Sequence, residues 1–255
     1  AIASYRNQLF ILKKALQFKP DDVNLHSNIL FANHWIALLE IQLGETSRSI
    51  ANLQLVIEGL ERLIELDPSQ VTWTRSMLVA KSDLAWSYFF QSEREPAVKY
   101  IDAVLEQHAG LSTTQRSLST ERTFAIAQFR KAIFLKNFGT LNESAALFEE
   151  SRLLLEKLIL ENPQDKKTIL ALVHCLLAKE DPINSISSIS RAQKLLKPLV
   201  EKQVDADVLD ATVRINVLMG DLKSAHVVEE ELRKMQYRHP DFRAFLARHQ
   251  NGEKR

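Results

Sequence analysis

Residues 44–70 read GETSRSIANLQLVIEGLERLIELDPSQ, and this stretch decides the fold. Ile50, Leu53, Ile57, Leu60 and Leu63 recur at intervals of three or four, which places them on one face of a helix. Gly44 precedes that helix at a turn, and Asp67-Pro68 follows it, because proline cannot continue a helix. The same punctuation returns along the chain as Lys19-Pro20-Asp21-Asp22, Asn162-Pro163-Gln164-Asp165 and His239-Pro240-Asp241-Phe242. A recurring unit of two amphipathic helices, with a period of tens of residues, indicates a solenoid.

Working outward, residues 4–18 carry Leu9, Leu12, Ala15 and Leu16 on one face and read as the second helix of a pair. With no initiator Met at Ala1, the chain reads as a fragment of a longer protein or as a processed product. The next pair runs from Val23 to Leu66, and a third takes residues 71–91, with Trp73, Met77, Leu84, Ala85 and Tyr88, and residues 94–108. Residues 110–118 form the most loop-like stretch, and Ser119 or Thr120 is the expected N-cap beyond it. Further pairs are expected at 120–138 with 141–161, at 165–180 with 184–202, and at 205–219 with 222–237. A short helix from Asp241 to His249 covers the end. The expected architecture is an all-α, right-handed superhelix of antiparallel helix pairs with 11–12 helices. It is read as one solenoid over residues 1–255, with repeats at 1–109 and 119–255 on either side of the loop.

Composition agrees. The chain has 255 residues, 45% hydrophobic and 25% charged, with only six Gly and seven Pro, too few for the many turns of an all-β protein. Lys and Arg total 33 against 32 Asp and Glu, so no excess positive field favours nucleic acid or an anionic membrane. No apolar run approaches the ~20 residues that span a bilayer. The single Cys175 rules out an internal disulfide and leaves a cytoplasmic and an extracytoplasmic location both open.

The units resemble tetratricopeptide repeats, in which small residues let the two helices cross closely. Leu84-Ala85 with Tyr88 and Ala97, Gly220 with Ala225, and Ala15 with Pro20 carry the resemblance. The 48 residues from Pro20 to Pro68 exceed that family's 34-residue unit, so long second helices are expected. Leu66 to Leu78, with Asp67-Pro68 and Trp73, is similar to extended repeats attached to bacterial signalling proteins, including Ser/Thr kinases and multidomain regulators.

Motifs for chemistry are sparse. No His-Glu-x-x-His pair, glycine-rich phosphate loop, nucleophile elbow or kinase signature occurs. His226 with Glu229 and Glu230 reads as a solvated helix face. Adjacent helical residues point about 100° apart, so His174 and Cys175 do not form a nucleophile pair, and a packed thiol is expected. Trp35, Trp73 and Trp86 suit either an interface anchor or packing between repeats. Ser185, Ser187, Ser188 and Ser190 suit either phosphorylation or close helix packing. No catalytic residue, cofactor or metal ligand is assigned.

What the resemblance implies is a ligand face lined by the first helix of each pair. Matching Gly44, Ser92, Gly139 and Gly220 to the family's turn position directs Asn33, His34, Lys81, Ser82, Gln128 and Arg214 toward that face, with Trp86 beside them. In the fourth pair only His174 is assigned. The expected function is a non-enzymatic protein–protein interaction module, a scaffold or regulatory domain that binds a peptide or protein partner. The alternative is a small-molecule sensor domain of a bacterial signalling protein, hinged at 110–118. Self-association as a homodimer through the exposed end near Ala1 is a third reading.

Overall fold

The computed structural model describes residues 1–178, 182–202 and 205–250. Twelve helices and no strand occur among them: α1 (Ile2–Phe18), α2 (Val23–Gln42), α3 (Thr46–Leu66), α4 (Val71–Phe90), α5 (Arg94–Ala109), α6 (Leu118–Asn137), α7 (Leu141–Glu161), α8 (Lys166–Leu177), α9 (Pro182–Lys202), α10 (Ala206–Leu218), α11 (Leu222–Lys234) and α12 (Pro240–Gln250). Two compact units divide the chain at Phe134/Leu135. In the first, each of α1 to α5 packs on its successor; in the second, α7 to α11 do the same and α12 lies against α10.

Turn chemistry explains the boundaries. The Asp22 carboxylate accepts hydrogen bonds from the backbone of Asn24 and Leu25 at 3.0 and 3.1 Å, which caps α2 directly after Pro20. Asp165, Asp205 and Asp221 cap α8, α10 and α11 in the same way. Each satisfies backbone donors that the first helical turn leaves orphaned. The four residues matched to the family's turn position share one backbone feature, a left-handed φ: 79° at Gly44, 61° at Ser92, 89° at Gly139 and 77° at Gly220.

Three boundaries differ from the sequence reading. Helix α6 begins at Leu118, because the Ser117 hydroxyl accepts from the Thr120 N–H at 3.3 Å and the Ser117 N–H donates to Thr120 Oγ1 at 2.7 Å. Ser117 is thus the cap, not Ser119 or Thr120. Helix α11 stops at Lys234, short of residue 237, since Gln236 turns left-handed at φ 57° and the Tyr237 N–H closes back on the Leu232 carbonyl. Pro240 then opens α12, as suits a residue with no N–H to satisfy. The end of the helix expected at 165–180, the turn residue Asp181 and the Ser185 side chain lie outside the described residues.

Helix length and composition follow from position. The expected long second helix is present in α3 and α7, each 21 residues, whereas α11 has 13. Helix α3 buries Ile50, Leu53, Val56, Ile57, Leu60 and Leu63 and exposes Glu58, Glu61 and Arg62. Helix α2 is flanked by α1 and α3 and is apolar around most of its circumference. Small residues stand where helices approach: Ser49 and Ser87 touch through their hydroxyls at 3.3 Å between α3 and α4, and Ala85 and Ala97 are fully buried. Gly59 admits Leu30 so closely that a Cβ there would stand 2.3 Å from its nearest methyl. Each fully buried leucine, such as Leu53 or Leu84, contributes about 2 kcal/mol.

Ser92 holds a backbone conformation that costs a non-glycine residue ~1 kcal/mol or more. Ser92→Gly should therefore raise the melting temperature, by a gain of about 0.5–1 kcal/mol after the entropy of the freer unfolded chain is counted. A Cβ at Gly139 or Gly220 meets nothing within 4 Å, so Gly→Ala there reads backbone strain alone. Thermal melts should show each alanine variant losing roughly 1 kcal/mol.

Candidate functional site

Helices α2, α4 and α6, the first helices of successive pairs, meet through a buried polar network in the first unit. Asp83 is its hub. One carboxylate oxygen, Oδ2, contacts His34 Nε2 of α2 at 2.9 Å, and the other, Oδ1, accepts from Arg130 of α6 at 2.9 Å. The same guanidinium nitrogen donates to Ser82 Oγ at 2.7 Å. Burial pushes the Asp83 carboxyl toward protonation, but Arg130 and His34 more than offset this and hold it below the usual carboxylate range. Arg130 also lies over the ring of Trp86, 5.5 Å from its centroid. Trp86 in turn stacks on Phe89 and Phe134 and meets the edge of Phe90 at 4.7 Å.

The expected ligand-facing residues are thus placed very differently from one another. Ser82, at 2% exposure, and Gln128, at 7%, are buried. His34 and Ser82 are engaged by Asp83 and Arg130, and Trp86 belongs to an aromatic cluster. Asn33 and Lys81 are half-buried on α2 and α4. The other two indoles pack as well: Trp73 lies against the core of α2, α3 and α4, and Trp35 stacks on Tyr5 at 5.9 Å.

Arg214 of the second unit sits in a cluster of its own. Its guanidinium pairs with Asp210, one turn earlier on α10, and with Asp241 of α12 at 2.9 Å. Tyr237 donates to the other Asp210 oxygen at 2.7 Å, and the guanidinium lies over Phe245 at 5.0 Å. Burial opposes the Asp210 charge, and Arg214 and His174 together bring its pKa down. Burial lowers His174, and it brings His239 down to about 4, so both rings are neutral near pH 7. Burial likewise raises Tyr237 well above the ordinary phenol value.

The sequence reading missed Asp83, Arg130, Asp210, Tyr237 and Asp241. A usable signal existed: Asp210 and Arg214 stand at i and i+4 within the apolar run from Val208 to Ile215, a spacing that pairs opposite charges on one helix face. Cys175 is buried, contacts the Phe148 carbonyl at 3.8 Å and has its thiol pushed up to about 12 by burial, which leaves it unreactive. No group of His, Cys, Asp and Glu fit to hold a metal ion is assembled among the described residues. His226 and Glu230 stand 3.9 Å apart on the solvated face of α11.

The fold is a tetratricopeptide-repeat-like α-solenoid. BtubC (BKLC) from P. vanneervenii superposes with a TM-score of 0.56 at 15% identity, over 92% of this chain and 89% of that one. A tetratricopeptide repeat protein from Parabacteroides merdae does so at 0.50 with 16% identity, over 97% and 78%. These identities establish a likeness of fold. In sequence, no protein-family model and no curated protein matches.

Removing one partner of a buried ion pair strands the other, so Arg214→Met should cost about 3 kcal/mol in urea unfolding at pH 7. The His239 ring titrates near 4 in the fold against 6.5 unfolded. Between those values the unfolded chain binds more protons, and stability falls as pH drops through that window. His239→Phe should flatten this slope. Asp83 and Asp210 have the lowered-carboxylate sign: their stabilisation is complete above about pH 4 and is lost as pH falls below it.

Proposed function

We propose that the chain is a non-enzymatic interaction module, a scaffold or regulatory domain that binds a peptide or protein partner along the α2–α4–α6 layer. The observation that carries this reading is the convergence of three successive first helices on Asp83. His34, Ser82 and Arg130 are engaged within the layer and hold it rigid, and Asn33 and Lys81 flank them in half-exposed positions. A surface held in this way loses little entropy on binding an extended segment. Ser82 and Gln128 contribute by packing, so an acidic substitution at either would report on stability rather than on recognition. Trp86 keeps Arg130 in place through the ring face.

Site-specific photo-crosslinking in the source cell tests the proposal. A photoreactive residue at Asn33 or at Lys81 should capture the same partner, whereas one at the exposed Glu58 of α3 should not. Equal capture at all three positions, or capture at none, would sink it. A second readout is Lys81→Glu, which should weaken the captured partner's affinity by about tenfold with little change in melting temperature.

A further inference from the structure

The second unit carries a different surface, independent of the one proposed above. Helices α11 and α12 enclose a groove of about 570 Å³. Its floor is apolar, with Leu232 and Phe242 belonging to the core of α10, α11 and α12 and Leu246 packed against that core. Its rim is cationic, set by Arg233, Arg238 and Arg243. Arg233 is neutralised on its own helix by Glu229 and Glu230, at 3.1 and 2.6 Å. Arg238 and Arg243 are exposed and enter no ion pair among the described residues. A chain whose net charge is only +1 therefore concentrates two uncompensated guanidiniums beside an apolar floor.

The shape of the occupant follows from the repeat. In the first unit α5 lies against α4 and sets Tyr100 on the core shared by α3 and α4. The groove between α11 and α12 stands at the corresponding place beside its own pair, so a helix is the element that fits it. Helix α12 has 11 residues, about three turns or ~16 Å, which sets the length of the contact. We propose that this groove docks a short acidic amphipathic helix of a partner protein. Apolar side chains at i, i+3/i+4 and i+7 would rest on Phe242 and Leu246, with flanking carboxylates on Arg238 and Arg243. Helix-in-groove recognition reads that spacing, and the planar guanidinium fork matches a carboxylate.

The test uses two fluorescein-labelled synthetic peptides of about 14 residues. One carries Leu at the i, i+3/i+4 and i+7 positions with Glu on its flanks; the other has every Glu replaced by Lys. Fluorescence anisotropy with the full chain should show the Glu peptide binding at least about tenfold more tightly than the Lys peptide. Its affinity should fall as salt rises from about 50 to about 300 mM. The double variant Arg238→Glu and Arg243→Glu should reverse the preference between peptides while leaving the melting temperature in place, since both side chains are exposed. Equal affinity for the two peptides, no binding of either, or a preference untouched by the variant would overturn the proposal. Sedimentation supplies the remaining outcome: a dimer that the double variant dissociates would give the groove to a second copy, and that too would overturn it. None of these results bears on Asn33 and Lys81, so failure here is separable from failure of the α2–α4–α6 reading.

Discussion

A charged carboxylate buried in the middle of an apolar helix is tolerable only if its charge is met. Asp83 lies between the buried residues Ser82 and Leu84 of α4, and it is met from both sides: Arg130 takes one oxygen and His34 the other. That requirement ties three helices separated by long stretches of sequence to a single register. Apolar packing alone tolerates small slips, because one methyl group makes nearly as good a contact as another. Moving α4 by one turn against α6 would instead strand Asp83 without Arg130, at a cost of about 3–5 kcal/mol. The pair need not add net stability to have this effect. It need only make the misaligned arrangements worse than the aligned one.

The second unit meets the same constraint with the charges exchanged. Arg214 is the buried hub, and the acids Asp210 and Asp241 reach it from α10 and α12. Aromatic faces stand beside both guanidiniums, Trp86 at Arg130 and Phe245 at Arg214, so each cation loses water and gains a ring. The neutral rings of His174 and His239 follow from this arrangement. With burial already disfavouring an ionised ring and Arg214 nearby, a second positive charge has no stable place.

The helix pairs were legible because their signals are local. Gly44, Gly139 and Gly220 mark left-handed turns, and even Ser92, with no glycine to announce it, falls in place once the repeat period is applied. Asp22, Asp165 and Asp221 announce helix starts through their own short side chains. The polar networks were not legible in this way, since Asp83 and Arg130 stand 47 residues apart and nothing local names either as the other's partner. Register placed Ser82 and Gln128 on the right helices, but periodicity describes a face and does not say which polar side chain on that face is spent on an internal bond. Helix ends failed where a side chain overrode propensity, as at Ser117, or where one residue turned left-handed, as at Gln236.

Near-neutral net charge hid a further property. Summed over the chain, 33 basic and 32 acidic residues cancel, and composition alone reads as electrostatically bland. Pairing is nevertheless uneven: Arg152 is held by Glu149 and Glu156, and Arg233 by Glu229 and Glu230, while Arg238 and Arg243 stand beside an apolar floor. Cations already matched by acids on their own helix cannot recruit a partner without first giving up that match, so they are poor recognition elements however exposed. Guanidiniums without such a match bear no comparable loss when a carboxylate arrives. In a solenoid, where charged residues decorate every helix, it is this difference in pairing, more than the number of charges, that separates a recognition surface from a solvated one.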